Sequence, residues 1–257
     1  MKLFHRKYGE SGPPLVIVHG LYGSSDNWVS IARDLSQRFE VYVIDQRNHG
    51  QSPHSDLHDY PSMREDLREF MDDRGIEKAV LIGHSMGGKT VMSFAERWPE
   101  RVVSLISLDI APKSYRNLAL ASRVAASHSS MIDAMLELDL AAAGSREEID
   151  RALAQRIESE RVRSFLLKNL RRDKGGGFFW RINLPALSLN LERVMEGMER
   201  SAMASGGGIS AGSATGGSIT GFPVLFVAGG ASDYIRPGDH QLIRDIFPSA
   251  EIVTIPG

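Results

Sequence analysis

Short β-branched runs alternate along the chain with stretches whose apolar residues recur every three or four positions. Leu15-Val16-Ile17-Val18, Val41-Tyr42-Val43-Ile44, Ala79-Val80-Leu81-Ile82 and Val102 to Leu108 read as strands in a sheet buried on both faces. Helical spacing fills the gaps between them. Trp28, Ile31, Ala32 and Leu35 mark a helix up to Gln37, and Pro61 opens a second that Gly75 stops. A third follows Gly88 and ends near Trp98, before Pro99. This alternation predicts an α/β protein with a mostly parallel central sheet flanked by helices.

After Asp109 the rhythm changes. Residues 113–204 carry long helical patterns and almost no strand signal, which predicts a helical cap inserted after the strand ending near Leu108. Within it, Leu153, Ile157, Val162, Phe165 and Leu166 line up as one apolar stripe of the charged run from Arg146 to Arg172. Residues 205–221, dominated by Gly, Ser, Ala and Thr, read as a flexible loop because they offer little to bury. The sheet resumes at Pro223 to Ala228, a helix covers Asp239 to Phe247, and a last strand runs from Glu251 to Ile255. Residues 1–112 and 222–257 thus form the expected core.

Composition narrows the function classes. Of 257 residues, 42% are hydrophobic and 24% charged, an ordinary globular balance, and a net charge of −2 gives no electrostatic reason to expect nucleic acid or an acidic membrane as partner. There is no cysteine, which excludes disulfides, thiol nucleophiles and thiolate metal sites. The start of the chain has no apolar signal region and no run approaches the ~18 apolar residues of a spanning helix, so a cytoplasmic location is expected. Nothing in the pattern specifies an oligomeric state.

The chemistry concentrates at Gly83-x-Ser85-x-Gly87, where an apolar strand turns into a helix. A serine on such a turn stands above the carboxyl end of the sheet, and the flanking glycines remove side chains that would collide there. The bland alternative is a glycine-rich helix start with an N-cap serine. A serine nucleophile also needs donors for the oxyanion of its tetrahedral intermediate. The backbone N–H of Met86 is one candidate, and that of Leu21, in the loop after the first strand, is the other.

His19-Gly20-Leu21-Tyr22-Gly23, Asp45-Gln46-Arg47-Asn48-His49-Gly50-Gln51-Ser52 and Gly83-His84-Ser85-Met86-Gly87-Gly88-Lys89 resemble the α/β-hydrolase superfamily. With Leu108-Asp109-Ile110-Ala111-Pro112, Phe179 to Leu184 and Gly229-Gly230-Ala231-Ser232, the chain is similar to the bacterial YbfF-type esterase branch. The resemblance implies hydrolysis of short acyl esters or acyl thioesters, small-molecule substrates, without a cofactor. It leaves two candidates for the triad acid: Asp109, whose Asp-Ile-Ala-Pro context is the closer match, and Asp233, next to Ser232. The family order places the catalytic histidine in the loop after the last strand, just beyond Gly257, with a closing helix after it, and none of the eight histidines occupies that position. His19 and His84, beside the oxyanion elements, Trp180 in the cap and Ser232 are expected to line the pocket.

The remaining clusters read as structural. His49, His54, His58, Asp56 and Asp59 share a loop but match no metal-ligand spacing, and Asp45-x-Arg47-x-x-Gly50 suggests a turn fixed by an Arg–Asp pair. A serine at the elbow argues against the aspartate-nucleophile dehalogenases and epoxide hydrolases of this fold. The Arg- and Glu-rich cap is a poor surface for lipid. The rival reading is a non-catalytic binding or receptor protein of the same fold, favoured by the missing histidine.

Overall fold

The computed structural model describes residues 1–116, 119–198 and 218–256. Its first half alternates strand and helix as the pattern predicts: β1 (His5–Tyr8), β2 (Pro14–Val18), α1 (Val29–Leu35), β3 (Glu40–Ile44), α2 (Tyr60–Asp73), β4 (Ala79–His84), α3 (Met86–Arg97) and β5 (Val102–Leu108). The second half holds α4 (Ala119–Leu136), α5 (Arg146–Ala154), α6 (Glu160–Leu167), β6 (Leu170–Arg172), β7 (Phe178–Trp180), α7 (Leu184–Met195), β8 (Val224–Gly229), α8 (His240–Ile246) and β9 (Ala250–Ile255). One sheet has the strand order β1-β3-β2-β4-β5-β8-β9, parallel throughout except for antiparallel β1. Among the described residues no helix is long and apolar enough to cross a membrane.

Uninterrupted apolar strands are needed because both faces of the sheet are covered. Leu15, Ile17, Val41 and Val43 turn to the face packed against Ala32 of α1, whereas Val16, Val18, Tyr42 and Ile44 turn to the other and join Leu67, Val91 and Phe94 of α2 and α3. Local signals set the helix ends. Asp59 caps α2 by accepting the Ser62 N–H at 2.8 Å, Pro61 occupies its first turn, and Gly75 leaves it with φ +64°.

Three features depart from the sequence reading. The polar segment His5-Arg6-Lys7-Tyr8 is a strand, because it pairs at the sheet edge with β3 and needs no apolar face there. In the stretch between β5 and β8, a short antiparallel hairpin, β6 with β7, interrupts the helices. The stripe of Leu153, Ile157 and Leu166 is buried, but no one helix carries it: Leu153 is on α5, Leu166 on α6 and Ile157 in the segment between them. The expected loop over 205–221 lies outside the described residues as far as position 217. Its last four residues are described, and there Ile219 is buried, its N–H donating to the Ile246 carbonyl at 2.7 Å.

The order β3-β2-β4 positions the site. The chain leaves β2 toward one side to make β3 and returns on the other side of β2 to make β4. Loops after β2 and β4 therefore diverge, leaving a crevice at the carboxyl ends of these strands.

Candidate active site

Ser85 follows β4 directly and adopts φ 51° and ψ −119°, a region a side chain enters only under strain. Its N–H donates to the Leu108 carbonyl at 3.0 Å, and its own carbonyl accepts the Lys89 N–H at 3.2 Å as α3 begins. The turn is possible because its neighbours lack side chains. A Cβ on Gly83 would run into the backbone of Gly87, and one on Gly87 into the carbonyl oxygens of Val18 and His19. Among the described residues, the non-glycine residues with positive φ are Tyr22, Asn48, Ser85 and Asp109, one in each loop following β2, β3, β4 and β5. Strain is thus concentrated around one end of the sheet.

Asp109 comes off β5 with φ 54°. Its Oδ1 accepts the Gly229 N–H at 3.1 Å and its Oδ2 accepts the Ser232 hydroxyl at 2.8 Å. Asp233 is in a different setting: it is 63% exposed and its Oδ1 accepts two donors of Arg236, at 3.1 and 2.8 Å.

Three buried histidines lie in a row beside the site, with ring centroids 5.1 Å apart from His19 to His49 and 5.5 Å apart from His49 to His58. His19 donates from Nδ1 to the Gly20 carbonyl at 2.8 Å and accepts the Gln46 N–H on Nε2 at 3.0 Å. His49 donates from Nδ1 to the Arg47 carbonyl at 2.9 Å and accepts the Tyr22 N–H on Nε2 at 3.3 Å. His58 accepts from the Asn48 amide at 3.4 Å and meets the Met86 sulfur at 3.3 Å. Desolvation lowers the His19 pKa to about 4 and the His49 pKa to about 3, and holds His58 well below its ordinary value. All three are therefore neutral at pH 7, each presenting one ring nitrogen as acceptor.

Asp45 and Arg47 do not pair with each other, contrary to the sequence reading. The Asp45 carboxylate accepts the N–H groups of Ser25 at 2.6 Å and Gln51 at 2.8 Å, and a Cβ at Gly50 would collide with it. Arg47 instead reaches α2, where its Nε and Nη2 donate to Asp66 at 2.6 and 2.8 Å with both side chains buried.

Beside Ser85 lies a narrow crevice lined by Leu21, Met86, Tyr60, Lys89, Ile110, Tyr115, His128, Val194, Met195 and Tyr234, with a cavity volume of about 20 Å³. Lys89 is 2% exposed. Its ammonium donates to the Glu196 carbonyl and lies 4.7 Å from the Tyr115 ring centroid and 5.6 Å from that of Tyr60. Burial pulls its pKa down to about 7. The end of α7 is held over the crevice by further donors, the Tyr60 hydroxyl to the Val194 carbonyl at 2.6 Å and the Tyr115 N–H to that of Met195 at 2.7 Å.

Leu21, Ser85 and Met86 meet at this crevice, with Asp109 on the adjoining loop. The other expected lining residues lie elsewhere. His19 is beneath the loop, His84 is exposed with its ring 6.3 Å from that of Trp28, and Ser232 is bound to Asp109. The indole N–H of Trp180 donates to the Met135 carbonyl at 3.1 Å, pinning the hairpin to α4. His240 starts α8, and among the described residues no histidine is hydrogen-bonded to the Ser85 hydroxyl. Sequence reasoning missed Lys89, Tyr60, Tyr115, His128 and Tyr234. Only Lys89 carried a signal, a charge one turn past Ser85 on a helix otherwise built for burial.

Residues 13–257 match the model of the alpha/beta hydrolase fold. The chain belongs to this family. It is 35% identical over 246 residues to the sn-1-specific diacylglycerol lipase ABHD11 of Mus musculus, covering 95% of this chain and 74% of the relative. It is 34% identical over 244 residues to Esterase YbfF of Escherichia coli, covering 95% and 84%. A solved marine microorganism esterase superposes with a TM-score of 0.88 at 44% identity, covering all of this chain and 91% of its own. The family's sheet accounts for the placement of Ser85, since a serine on the turn after β4 is presented to whatever enters the crevice.

Proposed function

We propose that the protein is a serine hydrolase of short acyl esters or thioesters, with Ser85 as nucleophile. The observation that carries this reading is the strained Ser85 turn opening onto a crevice at the point where the strand order reverses. In this scheme the Ser85 hydroxyl attacks the acyl carbon and the carbonyl π electrons move to oxygen. Backbone N–H groups of Leu21 and Met86 receive that oxyanion. A general base takes the Ser85 proton during attack and returns it to the departing alcohol or thiol as the intermediate collapses to an acyl-serine. Water, deprotonated by the same base, then cleaves the acyl-serine, and the proton goes back to Ser85. The chemistry needs no cofactor.

Asp109 is the acid of the scheme. Gly229 and Ser232 hold its two oxygens in place, and each retains a lone pair to orient an imidazole. Asp233 is spent on Arg236 at the surface. In the family order the general base is a histidine in the loop after the last strand. Helices α4 to α7 with their hairpin, residues 113–204, serve as the cap over the crevice.

A fluorophosphonate probe tests the assignment. Ser85 labels stoichiometrically by peptide mass spectrometry, and Ser85→Ala labels nowhere and loses hydrolysis of p-nitrophenyl acetate by roughly 10³-fold or more. A folded protein that carries the histidine expected after the last strand and still leaves Ser85 unlabelled is a binding member of the fold, and the esterase reading falls.

A further inference from the structure

The crevice beside Ser85 has a cavity volume of about 20 Å³, whereas the neighbouring cavity that shares Tyr60 and Lys89 with it has about 380 Å³. Space at the reacting serine is therefore scarce, and the side chains that wall the crevice decide what fits. Most of them belong to the sheet's own loops or to the end of α7. His128 comes from α4, which packs along α7.

Its imidazole is gripped at both nitrogens. The Tyr22 hydroxyl donates to the His128 carbonyl at 3.2 Å, so its single proton is used, and it accepts from Nδ1 at 3.3 Å. Nε2 is then the acceptor, and the Tyr234 hydroxyl donates to it at 3.4 Å. Tyr22 belongs to the loop that carries Leu21. Tyr234 belongs to the loop that holds Asp109, its N–H donating to Ser232 Oγ at 3.3 Å. One cap side chain thus bridges two loops across the crevice. Both ring bonds are long, so the bridge fixes a position without locking it.

We propose that His128 is the specificity-determining residue of the ester site: its imidazole, brought in from the cap and held between Tyr22 and Tyr234, walls the crevice and restricts the acyl group to a short chain. This rests on the esterase reading for its substrate, and on geometry alone for the barrier. A longer chain must displace an imidazole that is bonded on both sides.

The test compares p-nitrophenyl octanoate with p-nitrophenyl acetate. In His128→Ala the octanoate-to-acetate ratio of kcat/KM rises roughly tenfold or more. His128→Leu keeps the bulk without the ring nitrogens, so its ratio falls between those of the parent and His128→Ala. If the alanine variant does not fold, His128→Val reads the same shift at smaller amplitude. A measurement independent of turnover is binding of free octanoate, which raises the melting temperature of His128→Ala and leaves that of the parent unchanged. A ratio within twofold of the parent in the smaller variants, or octanoate stabilising parent and variant alike, overturns the proposal. Failure of the parent to hydrolyse either ester overturns the esterase reading instead, and octanoate binding then decides the barrier by itself.

Discussion

Asp109 and Asp233 carry the same functional group on adjoining loops, and their surroundings separate them. Asp109 is fixed by a backbone N–H and a serine hydroxyl, neither of which neutralises its charge, so the carboxylate remains available to a cationic imidazole. Asp233 already has its cation in Arg236, in solvent. The expected outcome is that Asp109→Asn lowers kcat by roughly 10²–10⁴-fold while Asp233→Asn stays within about twofold. Steady-state kinetics on one short ester reads both. Equal losses in the two variants would mean that the acid role is shared or misassigned.

At the level of elements, the elbow depends on close approach of α3 to β2. Gly87 sits against the Val18 and His19 carbonyls, where backbone blocks any side chain and no rotamer change relieves the clash. Gly87→Ala is expected to destabilise by roughly 1–3 kcal/mol or more, read as a lower urea midpoint. The loop after β3 is anchored differently. Arg47 crosses to Asp66 on α2 and also donates to the carbonyls of Leu57 and Ser62, at 3.3 and 3.2 Å. Removing Asp66 strands a buried guanidinium, so Asp66→Ala is expected to cost about 3–5 kcal/mol. A loss under about 1 kcal/mol would show that water reaches the pair.

At the scale of the whole molecule, burying neutral histidines makes stability depend on pH. His19 and His49 have folded pKa values of about 4 and about 3 against an ordinary value near 6.5. The unfolded chain therefore binds protons first as pH falls. Their contribution is fully present above pH 6.5 and drains away between there and pH 4 to 3. One such histidine loses about 2 kcal/mol between pH 6.5 and 5. Urea titrations at pH 7 and pH 5 are expected to differ by at least that amount, and His49→Gln is expected to flatten the difference. A pH-independent midpoint would mean that these rings are solvated.

Periodicity along the chain was enough for the parallel strands, the helices that cover them and the turn that presents Ser85. Those features depend on local propensity, on burial that repeats every two or 3.6 residues, and on glycines at fixed offsets, all of which one dimension records. β1 escaped because an edge strand needs no apolar face, and the β6–β7 hairpin because three-residue strands are too short for any period to emerge. Partner choice was decided only by tertiary structure. Nothing adjacent in sequence says that Arg47 passes over Asp45 for Asp66, that Asp109 meets Ser232 across 123 positions, or that His128 lies between Tyr22 and Tyr234, 106 residues to either side. A hydrogen bond or a crevice wall depends on which side chains the closed sheet brings within a few ångströms, and the pattern of one segment carries no information about another segment's position.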